Sequence, residues 1–220
     1  MTALIRYQAE LLLRSHRWVG PLAVYAMFVW FTGGAGGQSL GAGLSWNAAA
    51  LLPVAAWLTR LLLTTEPAEA RACLAAASSP RKAQLAALIA GLAASLVLGL
   101  GSVLVDLVTG EAPAGGAGAY ARTLLVGLAA AVICLSVGSA IGALCNPPVV
   151  RPVAYAVLST VGVVVAALVS SVSPANAAIR DAGTQPHSSA WPVALPLIAA
   201  IVVLAASWAI SATLSARRGS

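Results

Sequence analysis

Six apolar stretches follow one another along this chain, at 18–32, 45–63, 83–108, 120–144, 153–172 and 192–214, and none carries more than one charged side chain. A helix needs about 20 apolar residues to cross the hydrocarbon of a bilayer. Only 8% of the 220 residues are charged and 60% are hydrophobic, with a mean hydropathy of +0.93. Soluble domains carry about a quarter charged residues, so lipid has to be the solvent for most of this chain. In lipid every backbone polar group must be satisfied internally, which leaves helices for runs of this kind. The predicted fold is all-α: a polytopic membrane protein with six transmembrane helices forming a single domain over 1–220. The six spans leave no length for a fused catalytic domain.

The breaks between the stretches carry the remaining information. The break at 64–82, TTEPAEARACLAAASSPRK, is charged at both ends and has its own helix punctuation. Glu66 and Pro67 open it, and Glu69 falls where a carboxylate complements the helix dipole. Ser79 is placed as an N-cap, with Pro80 at the first position of the next helix. A simple connector needs only a few residues, so this spacing predicts a short helix over 66–78, held at the membrane surface. Ala68, Ala72, Leu74 and Ala75 give it a small apolar face suited to docking in a groove. Residues 2–17 have Arg6, Glu10, Arg14 and Arg17 on one face, with Leu4, Ile5, Leu11 and Leu12 away from it. They predict an amphipathic helix lying in the interface. A secretory leader is the competing reading. The Gly/Pro-rich segments 33–43 and 109–119 read as loops, 146–152 as a tight turn, and 173–191 as a longer connecting segment.

Orientation follows from the basic residues. With six spans both termini share a side with 64–82 and 146–152, and that side collects ten of the 12 lysines and arginines; only Arg122 and Arg180 fall opposite. This predicts a multi-pass plasma-membrane protein with both termini cytoplasmic. The net charge of +6 is spread as topology determinants are, and implies no nucleic-acid partner.

Little in the chain suits bond chemistry. The only lysine, Lys82, follows Arg81, so there is no glycine-rich phosphate loop. The two histidines, His16 and His187, fall on opposite sides, and no span holds a carboxylate pair. Cys73, Cys134 and Cys145 lack metal spacing and read as small apolar fillers. No catalytic residue, cofactor or metal is expected. Two ionisable residues stand within apolar runs. Arg60 reads first as snorkelling to head groups, with a bundle-facing role as the alternative. Asp106 reads first as interfacial, with Arg122 as an alternative partner. Gly138-x-x-x-Gly142 gives a small-residue stripe for close helix packing, within or between subunits.

Taken together, the interfacial N-terminal helix, six spans, a helical loop between spans two and three and a longer segment between spans five and six resemble the permease subunit of a type-2 ATP-binding-cassette exporter. The runs RYQAELLLRSHRW and AALLPVAAWLTRLLLTTEPAEARACLAAA look like small actinobacterial members of that group. The resemblance implies that 66–78 is a coupling helix for a separate ATP-binding subunit, with Glu66, Glu69, Arg71 and Leu74 as contacts and Arg6, Glu10 and Arg14 as further ones. It implies two ATPase copies holding the ATP and magnesium, and a second permease chain, identical or related. The Leu/Val/Ala-rich walls suit a lipid-like, peptide or hydrophobic small-molecule cargo. An ion-coupled secondary transporter is the alternative, and a membrane-embedded enzyme or a non-transporting assembly or sensor subunit stand behind it.

Overall fold

A computed structural model describes residues 1–34, 38–146, 149–150, 153–183 and 191–218. Among them the chain is all-helical: α1 (Thr2–Ser15), α2 (Val19–Gly34), α3 (Leu40–Thr65), α4 (Ala68–Ala77), α5 (Pro80–Thr109), α6 (Gly116–Leu144), α7 (Val153–Val169), α8 (Pro174–Gly183) and α9 (Trp191–Arg218). The only extended pairing among these residues is an isolated bridge between Ser39 and Glu111.

Four helices, α3, α5, α6 and α9, are long and apolar enough to cross a membrane, and a fifth crossing is present if α7 and α8, bent by 47° at their break, count as one. Six spans are therefore not established by length and composition, because α2 is a shorter apolar helix of 16 residues.

Two helices run well past their apolar stretches, because polar side chains close their ends. Ser39 caps α3 by accepting from the Ala42 N–H, so 40–43, expected to be loop, is the first turn. At the other end Thr64 donates to the Arg60 carbonyl at 2.9 Å and Thr65 to the Leu61 carbonyl at 2.5 Å. In α5, Ser79 accepts from the Lys82 N–H, with Pro80 opening the helix, as the break's punctuation predicts.

Helix α3 forms the axis of the bundle. Leu51, Leu52, Ala55 and Ala56 are fully buried, packed with Ala130, Ile133 and Cys134 of α6. Gly138 and Gly142 allow that approach: a Cβ at Gly138 would lie 2.3 Å from the Leu52 carbonyl oxygen, and one at Gly142 2.7 Å from Thr59 Cβ. The small-residue stripe is thus an internal α3–α6 contact. α8 covers one end of this pair, burying Ala175, Ala178 and Ala182. Ser45 donates to the Ile179 carbonyl there at 2.8 Å. α1 and α4 lie at the opposite end.

Candidate functional site

The residues singled out in the sequence fall into two places, the α1–α4 end of the bundle and a buried polar cluster in the half nearer α8.

At the α1–α4 end the chain leaves α3 through Glu66, which is extended (φ −78°, ψ 128°), and enters α4 after Pro67. A helix cannot easily run through the residue before a proline, so Glu66-Pro67 makes α4 a separate body. Glu66 does not face outward with the other predicted contacts. It is 8% exposed and receives Gln8 Nε2 of α1 at 3.4 Å. The Tyr7 hydroxyl also bonds to it. Partial burial, then the Glu66 charge and that hydrogen bond, raise the Tyr7 phenol above its ordinary value of 10.0. α1 is fixed to the bundle by Leu12, packed with Leu62, Leu63 and Leu88, and by Ile5 against the same cluster. Glu66 is therefore the joint at which α1, α3 and α4 meet.

The other predicted contacts are less buried. Glu69 is exposed in the first turn of α4, Leu74 is half-buried, and Arg6, Glu10 and Arg14 are exposed on α1. Arg6 Nε is ion-paired with Glu10 at 2.9 Å, so these two hold each other along the helix. α4 includes Arg71, whose side chain lies outside the described residues, as do those of Ala68, Ala72 and Ala75.

Asp106 points into the bundle: it is 3% exposed, and Asn47 Nδ2 lies 2.8 Å from each carboxylate oxygen. Gly43 makes room for it, since a Cβ there would meet Asp106 Oδ1 at 2.8 Å. The Thr32 hydroxyl is 3.1 Å from Asn47 Oδ1, and the Tyr25 hydroxyl is 3.3 Å from the Asn47 carbonyl oxygen. Tyr25 also donates to Ser102 Oγ at 2.9 Å, and Ser102 donates on to the Gly99 carbonyl. One connected polar cluster thus ties α2, α3 and α5. No motif announces it, because its members are spread over five separate positions from 25 to 106. The signal available was that Asn47, Ser102 and Asp106 are polar residues in otherwise apolar runs.

Arg60 is half-buried on α3, on the outward stripe that also carries Trp46 and Trp57. It takes no part in the Asp106 cluster.

A comparison with protein-family models, with curated proteins and with solved structures finds no match to this chain.

Proposed function

We propose that this chain is the transmembrane permease subunit of a type-2 ATP-binding-cassette exporter, working as a pair of permeases with two copies of a separate ATPase. In this reading α2 is a sixth span and the α7–α8 bend a fifth, the latter carrying α8 as a short helix at the extracellular end. Both termini and α4 lie on the cytoplasmic side of the plasma membrane. ATP and magnesium belong to the partner, and the permease supplies the pathway for a hydrophobic or amphipathic cargo.

One observation carries the reading. α4 is a ten-residue helix between the two long helices α3 and α5, and its entry residue Glu66 is held by α1. A force applied to α4 reaches α3 through Glu66 and reaches α5 through the Ser79 cap. Rigid helices joined at such points move as levers. Glu69, Leu74 and Arg71 belong to the helix a partner would push. Arg6, Glu10 and Arg14 line the neighbouring α1.

The test is purification from mild detergent. A stoichiometric soluble ATPase travelling with the chain, whose hydrolysis drives uptake of cargo into inside-out vesicles, supports the proposal. A chain purified from its native membrane that carries no nucleotide-binding partner and transports down an ion gradient replaces it. That second reading has one observation in its favour, the buried carboxyl of Asp106, since ionisable residues inside spans mark coupling sites in ion-driven carriers.

A further inference from the structure

The elbow between α1 and α2 presents basic side chains beside exposed aromatic and apolar surface. His16 turns the chain there in the left-handed region (φ 53°), and Trp18 packs against both core clusters. α2 and α3 are antiparallel neighbours whose register is fixed at two heights. Near α8, Thr32 reaches Asn47; near the elbow, the Trp57 ring lies 3.6 Å from where a Gly20 Cβ would be. Three residues back from Gly20 is Arg17, and three on from Trp57 is Arg60. Arg17, in the turn that leads into α2, and Arg60, one turn past Trp57 on α3, both lie at the elbow end of this antiparallel pair.

Neither guanidinium bonds to a protein group among the described residues. Arg17 is exposed and Arg60 half-buried, and Arg14 is exposed close by on α1. Trp57 is 41% exposed, and on the α2 side Val24 and Met27 are 48% and 57% exposed. A half-buried guanidinium without a partner is costly unless an anion meets it. Arginine forks suit phosphate oxygens, and tryptophan suits the boundary between head group and chain.

We infer that Arg17 and Arg60, assisted by Arg14, bind the phosphate of an anionic phospholipid whose acyl chains lie along Trp57, Val24 and Met27. The inference rests on the helices standing in a bilayer, and is independent of what the chain transports. Such a lipid would pin the elbow, and with it α1.

The test is thermal unfolding of the detergent-purified full chain with added dioctanoyl phosphatidylglycerol, dioctanoyl phosphatidylcholine or inorganic phosphate. Saturable stabilisation by the phosphatidylglycerol alone is expected, with half-saturation about tenfold higher in Arg17→Gln/Arg60→Gln, as fits loss of charge-assisted contacts. Arg17→Lys/Arg60→Lys keeps the charge without the fork and should fall between, which serves if the glutamine variant does not fold. Equal stabilisation by the two lipids overturns the site. So does a phosphatidylglycerol effect that survives both double substitutions. Stabilisation by inorganic phosphate equal to that by the lipid overturns the lipid assignment in favour of a free-anion site.

Discussion

Asn47 and Asp106 tie α3 to α5, with Nδ2 of one 2.8 Å from both carboxylate oxygens of the other. The carboxylate has no cationic partner among the described residues, so the asparagine is its sole side-chain donor. Removing one partner of a buried polar pair leaves the other unsatisfied, which costs more than the pair contributes. Asn47→Ala should therefore destabilise the protein by about 2–3 kcal/mol, and Asp106→Asn by less, because it removes the charge along with its need. Asn47→Asp should be the worst of the three, setting two carboxylates together. Denaturant titration of the three variants in mixed micelles checks the order. Equal costs for Asn47→Ala and Asp106→Asn would mean that the carboxylate finds its donors elsewhere.

A second prediction concerns the glycines of α6. Overpacking a close contact costs about 1–3 kcal/mol, and Gly138 faces backbone, which cannot rotate away. Gly138→Ala should loosen the α3–α6 pair by an amount in that range, and Gly142→Ala similarly against Thr59. Gly118 at the other end of the same helix has open space around its Cβ position. Gly118→Ala should be neutral or favourable, since alanine is the better helix former. Thermal melting of the three variants decides; similar losses at all three positions would show that helix propensity and not packing is being measured.

The apolar periodicity of the chain made the helices legible, and serine and proline punctuation made the α4–α5 boundary legible down to the capping residue. Lipid-facing and core-facing residues were not separable, because in a bilayer both are apolar; only the packing places Leu52 inside and Leu104 outside, at 0% and 63% exposure. The burial of Asp106 and Glu66 was not legible, because it depends on partners at positions 47 and 8, which sequence spacing does not reveal. α2 ends within two residues of the predicted stretch, but its 16 residues are too few to establish a span by length.

The α1–α3 joint responds to pH in a defined direction. The folded state holds the Tyr7 proton to higher pH than the free phenol does. Between the ordinary value of 10.0 and the raised one the folded chain binds more protons than the unfolded chain, so stability falls as pH rises through that window. The stabilisation is fully present below it. Glu66→Gln removes the charge opposing ionisation and should move the Tyr7 titration back toward its ordinary value. Tyr7 is 38% exposed, so solvent screens the effect and the shift should be modest. Carbon-13 labelling of tyrosine, with Tyr7→Phe to assign the signal, reads it directly; an unmoved Tyr7 titration in Glu66→Gln would separate Tyr7 from the joint.

Contact and transmission at α4 can be told apart by two kinds of substitution. Leu74→Asp with Arg71→Glu alters the helix itself, and should release the ATPase subunit while leaving insertion of the chain intact. Gln8→Ala combined with Tyr7→Phe leaves α4 unaltered but removes both α1 groups that bond to Glu66. In the lever reading, Gln8→Ala/Tyr7→Phe retains the partner and its hydrolysis, but transport per ATP falls several-fold, because α4 then moves without carrying α1 with it. Co-purification measures the first effect, and the ratio of cargo moved to ATP consumed in proteoliposomes measures the second. A Gln8→Ala/Tyr7→Phe chain with unchanged coupling would remove α1 from the transmission, and a Leu74→Asp/Arg71→Glu chain that keeps its partner and its coupling would remove α4 from the contact.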